Sequence, residues 1–562
     1  MKRPSYFGYF RSRWPKILIA IILTAVSTAG NFVETLFVSD IVDQVQNTEF
    51  SKIWWLATIL FGIECASRLA TFGAEKKTLQ IKEGVIKSLH LDLAKALANS
   101  SVESVSRQEP AEIAGKVSEA KNFVDAVYGI FQACFTLIAG IAAMLYMAYC
   151  AWQVAILLMV FLLVFLRIQV SFREKMVQQN IRARGVSDEA KQLLFEIVAG
   201  FADVKVQNLV RGLKENFVNA HNQEVKENIE TEKVLLNNTL LTQVLVATYK
   251  YAFLVLTVMM FQKGDVTFAE FLALYMYKGH VQQAASGILQ IFKYSAMMST
   301  STTRMDEVLN HTSLAIAKWG HNNCIPEGDL ELHKITVSLA GKTILDRVNC
   351  TIDKGTFVGI VGPSGSGKST LLKVLSKEVT PISGEIYVGG VDVAGLTEWA
   401  YRKLFRMAPQ QPFLFSTLSI RENLTAANPK ATAEEIWEAL RLCRADEFVE
   451  KHGGLDAMIS PKDLSGGERQ RLALARTILA GGKIILLDES TSALDTESQA
   501  AVMDTVLSAK GKRTIVMVAH RISVLKNADK IFFIEQGRIA DIGTYAELYQ
   551  RNAKFRFMAE EG

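Results

Sequence analysis

The 562-residue sequence predicts two fold classes in one chain. The first is an α-helical membrane domain of six transmembrane helices with long cytoplasmic extensions. The second is an α/β domain built around a phosphate-binding loop. Three observations carry this reading. Apolar residues make up 49% of the chain, and the excess falls before about Phe292, in runs long enough to cross a bilayer. After Asp329 the pattern changes to short β-rich runs alternating with amphipathic helices. Within that second half stands Gly362-Pro363-Ser364-Gly365-Ser366-Gly367-Lys368-Ser369-Thr370.

Length and charge bound the rest. A chain of this size exceeds one hydrophobic core, so at least two domains are expected. The net charge of +5 holds no basic tract of the kind that binds nucleic acid. The six cysteines form no Cys-x-x-Cys pair, which argues against a zinc site or a disulfide scaffold. The first apolar run is too long for a cleavable signal peptide.

Residues 1–16 carry Lys2, Arg3, Arg11, Arg13 and Lys16 and no acid, which places the N-terminus in the cytoplasm. Interleaved Tyr6, Phe7, Tyr9, Phe10 and Trp14 suit a short helix in the membrane interface. The spans follow at 17–42, 53–72, 124–149, 154–168, 240–261 and 268–292. Outer connections are short, with a very tight turn near Ala151. Two charged cytoplasmic excursions, 75–117 and 173–233, keep helical periodicity, so the membrane helices should continue through them. At about 1.5 Å per residue, ~20 further residues reach roughly 30 Å below the membrane.

Several charges fall inside the spans. Glu34, Glu64, Arg68, Lys250 and Lys278 are the candidates for a polar substrate cavity, and His280 lies among them. Intramembrane charges are costly and usually face a bundle interior or water. Mutual pairing that fixes packing, as between Glu64 and Arg68 one turn apart, is the alternative. Lys250 and Lys278 would suit an anionic group on a substrate. Residues 1–310 are therefore read as the membrane domain. Residues 311–328, polar and holding Pro326 and Gly328, are the linker, and 329–562 the second domain.

The second domain carries the chemistry. Phe357 to Val361 reads as a buried strand and Ser369 onward as a helix, the setting a phosphate loop needs. Loop N–H groups and the helix N-terminus attract phosphate. Lys368 would reach the β- and γ-phosphates and the Ser369 hydroxyl would face Mg²⁺. Gln410 could complete the metal or water shell. Ser465, Gly466 and Gly467 open a long helix and form a second anion-binding nest. The strand Ile484–Leu487 delivers Asp488 to hold Mg²⁺, and Glu489 can polarise the attacking water. The strand Thr514–Ala519 ends at His520, which could contact the γ-phosphate.

Together these motifs resemble the ATP-binding cassette (ABC) transporters. The half from Asp329 is similar to their nucleotide-binding domain, and Leu464-Ser465-Gly466-Gly467-Glu468 to their signature, with Glu where Gln is commoner. Six spans with two excursions resemble the exporter-type (type IV) half-transporter. The resemblance covers essentially the whole chain. It implies a dimer of head-to-tail cassettes with ATP and Mg²⁺ between Lys368 of one copy and Ser465–Gly467 of the other, and Asp495 also at the nucleotide. It implies coupling helices near 101–108 and 200–208 that dock on the cassettes. The sequence departs from the pattern in three places. Leu339 stands where an adenine-stacking aromatic is usual, the segment 460–463 before the signature is short, and 415–420 is one residue longer.

The expected function is ATP-driven export or flipping of an amphipathic solute, lipid-like molecule or peptide across a bacterial cytoplasmic membrane. Import on the same fold, and a membrane-bound regulatory ATPase without transport, are the alternatives. The full set of ATPase residues permits a homodimer, with a heterodimer of two half-transporters as the other assembly. With no peptidase segment ahead of the spans, cleavage-coupled peptide export is not expected.

Overall fold

The computed structural model describes residues 6–46, 50–108, 110–310, 314–339, 341–460, 463–488, 499, 503–504, 507–508, 510–519 and 521–561. The chain divides into two compact units, Met1–Leu97 with Pro110–Thr312, and Ala98–Glu109 with Ser313–Gly562.

The first unit is helical. After the short α1 (Gly8–Arg11) come α2 (Trp14–Gln46) and α3 (Phe50–Ala98); the short helix α4 (Val102–Ser106) belongs to the second unit. Then follow α5 (Pro110–Cys150), α6 (Trp152–Ala199), α7 (Phe201–Val206), α8 (Val210–Lys263) and α9 (Phe268–Leu309). Helices α3, α6 and α8, of 49, 48 and 54 residues, run on through the polar segments, as their unbroken periodicity predicts. Only Ala151, in extended conformation, separates α5 from α6. Among the described residues, five stretches are long and apolar enough to cross a membrane: Trp14–Val45, Lys52–Ala98, Glu112–Cys150, Trp152–Met176 and Val210–Lys263. The sixth predicted span forms the start of α9 but falls short in apolarity, because Glu270, Lys278, His280, Gln282 and Gln283 interrupt it.

Helix α9 packs along α5, and α6 along α8. Small residues let α5 and α9 approach closely. A Cβ on Gly140 would stand 2.1 Å from the Ala284 Cβ, and one on Gly287 would stand 2.4 Å from Thr136 Oγ1. Without a hydrophobic gradient between helices in lipid, such close backbone contact is what holds them. A core of Phe161, Phe165, Tyr249, Phe253 and Tyr277 fills the space between α6, α8 and α9. Near the start of α5 and the end of α9, buried Lys116 pairs with Glu112 at 2.8 Å and Glu307 at 2.9 Å, and Glu119 with Arg304 at 3.0 Å. The N-terminal segment is tied down by Tyr6 and Tyr9, whose hydroxyls donate to Asp306 at 2.7 Å and Asp92 at 2.9 Å.

The second unit holds two sheets. An antiparallel sheet has the order β2-β1-β4-β5, with β1 Leu330–Leu339, β2 Lys342–Ile352, β4 Ser383–Val388 and β5 Val391–Asp392. The larger sheet has the order β10-β9-β3-β8-β7-β6. Its strands are β3 (Phe357–Val361), β6 (Phe405–Ala408), β7 (Ile484–Asp488), β8 (Thr514–Val518), β9 (Lys530–Glu535) and β10 (Arg538–Gly543). All pair parallel except β10, which lies antiparallel on β9. Every residue of β3, β7 and β8 is buried, which is why these strands read as continuous apolar runs. Alternate side chains feed two cores. Phe357 and Val361 join one, and Val358 and Ile360 the other.

The close α5–α9 approach gives a direct test. Gly140→Val should lower the unfolding temperature of the full chain in lipid by several degrees, because overpacking costs about 1–3 kcal/mol. Calorimetry that finds no shift would show that α9 does not press on α5 at this point.

Candidate functional site

The site grows from the carboxyl end of β3. There the chain turns through residues 362–367 and enters α10 (Lys368–Leu375). Two positions demand glycine. Gly362 has φ +152°, and a Cβ there would stand 2.0 Å from the Ile534 carbonyl on neighbouring β9. Gly367 caps α10 with φ +103°, and a Cβ there would press on Leu345 and Ile344. The chain can therefore wrap tightly and point the unpaired first N–H groups of α10 at the loop. Buried Lys368 donates from Nζ to the carbonyls of Gly362 at 2.8 Å and Pro363 at 2.9 Å, so its ammonium sits at the loop mouth.

Two strands away in the sheet, β7 carries Asp488 to its end, 3% exposed. The Ser369 hydroxyl donates to Asp488 Oδ1 at 2.9 Å. Sequence reading places both at one metal, and the fold brings them together across 119 residues. Hydroxyl and carboxylate oxygens are the donor set that Mg²⁺ prefers. The buried Ser366 hydroxyl in the same loop has no hydrogen-bond partner among the described residues. These residues fit a metal–triphosphate ligand. Residues 489–498 and His520 lie outside the described residues, and with them Glu489 and Asp495.

Gln410 follows β6, and its carbonyl accepts from Gln470 Nε2 at 3.3 Å. Gln470 belongs to the helix Gly466–Ala480, opened by the Ser-Gly-Gly motif. Ser465 is its N-cap. The Glu468 N–H donates to Ser465 Oγ at 3.2 Å, and the Ser465 N–H donates to Glu468 Oε2 at 2.8 Å. The Glu that replaces the commoner Gln thus closes a capping box. Burial raises the Glu468 pKa, but the Ser465 hydrogen bonds outweigh it and leave the carboxyl below its ordinary range.

Sequence reading missed Asn423. On the short helix Ile420–Thr425, its Nδ2 donates to the carbonyls of Phe415, Leu418 and Ser419, and its Oδ1 accepts from the Phe415 N–H. One buried amide thus fixes the lengthened 415–420 segment. Its only sequence signal was an Asn inside an otherwise capped short helix. Leu339 sits at the β1–β2 hairpin, paired with Lys342 and packed against the antiparallel-sheet core.

The membrane unit contains a cavity of about 210 Å³ between α2, α3, α5 and α9. Thr24, Ser27, Thr28 and Asn31 line one side and Thr71 and Glu75 another. Tyr128, Phe131, Gln132, His280 and Gln283 complete most of it. None of the five predicted cavity residues is among its lining. Glu64 and Arg68 pair with each other at 3.6 Å on an exposed face. Lys250 is exposed, Glu34 is half-buried, and the half-buried Lys278 lays its ammonium 3.6 Å from the Tyr275 ring centroid. The reason is physical: charges inside an apolar run announce themselves in a hydropathy profile, whereas most of the lining is hydroxyl, amide and aromatic, and its one carboxylate, Glu75, lies just beyond the second run.

Comparison with known proteins agrees with both halves. Residues 17–285 match the model of the ABC transporter transmembrane region, and residues 345–492 that of the ABC transporter. The chain is 34% identical to the alpha-hemolysin translocation ATP-binding protein HlyB of Escherichia coli O157:H7 over 51% of this chain and 41% of that protein. It is 34% identical to the mycobactin import ATP-binding/permease protein IrtB of Mycolicibacterium thermoresistibile over 47% of each. The chain therefore spans less than half the length of these relatives. The structure of a bacterial Atm1-family ABC exporter with ATP bound superposes with a TM-score of 0.84 at 18% identity, covering 97% of this chain and 98% of that one. The chain belongs to the ABC transporter family, as an integral membrane protein with a helical transmembrane region fused to an α/β ATP-binding domain.

Proposed function

We propose that the chain hydrolyses ATP and uses the energy to move an amphipathic solute, lipid-like molecule or peptide across a bacterial cytoplasmic membrane. It works as a dimer, with two copies of this chain as the favoured assembly. The observation that carries this reading is the Ser369–Asp488 hydrogen bond at 2.9 Å beside the Gly362–Thr370 loop.

In the proposed mechanism the loop N–H groups and Lys368 hold the β- and γ-phosphates and neutralise charge there. Ser369 and Asp488 hold Mg²⁺, which when bound draws charge from the phosphate oxygens. Glu489 takes a proton from water as the water oxygen attacks the γ-phosphorus. The bond from that phosphorus to the β-bridging oxygen breaks, its electron pair stays on ADP, and inorganic phosphate leaves. Gln410 and His520 position the water and the γ-phosphate. Ser465 to Gly467 of the second copy close the site. The short helices α4 and α7 act as coupling helices, and closure and hydrolysis move the membrane helices.

Export is the primary direction. Uptake is the second reading, favoured by the likeness to a protein named for mycobactin import.

ATPase assays on the purified chain in lipid test the hydrolysis. Lys368→Ala, Asp488→Asn and Glu489→Gln should each lower the rate by about 10²–10⁴-fold. Undiminished hydrolysis in Glu489→Gln would remove Glu489 from its role. A mixing test reads the composite site. Lys368→Ala and Ser465→Arg chains should each be inactive alone, and co-assembly should restore hydrolysis, since one mixed site keeps Lys368 and Ser465 together. No recovery in a dimer shown to be mixed would contradict the shared site. ATP-driven flux in sealed vesicles gives the direction.

A further inference from the structure

The cavity between α2, α3, α5 and α9 has a chemical character that its lining states. Among the described residues its lining offers one carboxylate, Glu75, one imidazole, His280, and no Lys or Arg. Glu75, Gln132 and Gln283 are exposed at the mouth of the cavity, and their side chains have no hydrogen-bond or ion-pair partner among the described residues. Beside them Tyr128, Phe131 and Phe135 form a continuous aromatic wall. Tyr128 and Phe131 lie 6.4 Å apart at 30°, and Phe131 and Phe135 meet edge-on at 5.0 Å. The aromatic wall already attracts an ammonium from outside the cavity: Lys82 Nζ lies 5.2 Å from the Tyr128 centroid while paired with Asp125.

An acid beside aromatic faces, with free amides around them, favours a cation and penalises an anion. We infer that this cavity binds a protonated amine or similar organic cation borne on an amphipathic cargo. Its ammonium sits at Glu75, its apolar body lies on the Tyr128–Phe131 wall, and its polar groups meet Gln132 and Gln283. The volume of about 210 Å³ leaves room for a headgroup-sized moiety. Glu75 lies three residues beyond Phe72, the end of the second apolar run, which puts the acid at the inner membrane boundary. Lys250 and Lys278, the residues that would have called for an anion, do not line the cavity. This inference rests on the transport reading, because it names the cargo of that cycle.

Tryptamine and indole-3-propionate form a suitable probe pair, with the same ring and linker and opposite terminal charge. Equilibrium dialysis would compare their binding to the full chain in phosphatidylcholine nanodiscs, with empty discs subtracted. Tryptamine should bind at least about tenfold more tightly, as expected for one partly screened charge contact. Glu75→Gln should remove most of that preference, and Glu75→Asp, which keeps the charge, should retain it. Gln132→Ala should weaken tryptamine binding without reversing the preference. Equal binding, preference for the acid, no binding of either, or a preference untouched by Glu75→Gln would each overturn the inference. Discs with phosphatidylethanolamine replacing part of the phosphatidylcholine identify the source of the amine. Displacement of tryptamine assigns it to a lipid headgroup, and no displacement to a soluble amine; both keep the cation. ATPase activity measured on the same samples separates the two claims. Hydrolysis without charge preference sinks the cation site alone, and charge preference without hydrolysis sinks the transport reading alone.

Discussion

The Ser369 hydroxyl and the Asp488 carboxylate meet at 2.9 Å, and the second unit is arranged so that they can. Ser369 lies in the first turn of α10 and Asp488 at the last position of β7. Their approach requires β3 and β7 to end at one level. That level is set by the parallel register through β8, in which Ile360 and Asp488 both pair with Val518. The register in turn depends on strands buried on both faces, where a one-residue slip would turn each side chain to the opposite core. A pair of oxygens thus reports on the alignment of a whole sheet. Ligand sites at the carboxyl ends of parallel strands are the general outcome of this construction.

The membrane unit obeys a different constraint. Its helices cannot gain from burying apolar surface against one another in lipid, so backbone proximity and polar contacts decide the packing. Gly140 and Gly287 bring α5 and α9 together, and the hydroxyls of Ser27 and Thr71, 2.7 Å apart, link α2 to α3. The same neutral polar residues that bridge helices also line the cavity. A site for cargo can therefore be formed from packing residues by leaving some of their polar groups unpaired.

How much of this the sequence showed follows the same division. Gly362, Gly367, Lys368, Ser369 and Asp488 were legible because phosphate chemistry demands those types at those spacings, and the structure joins Lys368 to the loop and Ser369 to Asp488. The long helices were legible because few Gly or Pro residues interrupt the excursions, which break only around the short helices α4 and α7. Facing was not. Glu64, Arg68 and Lys250 stand out as charges yet are exposed, while Gln132 and Gln283 line the cavity without standing out. Asn423 was invisible because its three carbonyl partners lie in a loop whose path no periodicity predicts. The start of α9 read as a span on length, although Lys278, His280 and the two glutamines lower its apolarity below that of the other five.

The central claim is that Ser369 and Asp488 form the metal side of a nucleotide site. Electron paramagnetic resonance of Mn²⁺ with a non-hydrolysable ATP analogue tests it most directly on the full chain in lipid. One tightly held Mn²⁺ per bound nucleotide is expected in the wild type, lost in Asp488→Asn and weakened in Ser369→Ala. Retention of the ion with unchanged affinity in both variants would contradict it.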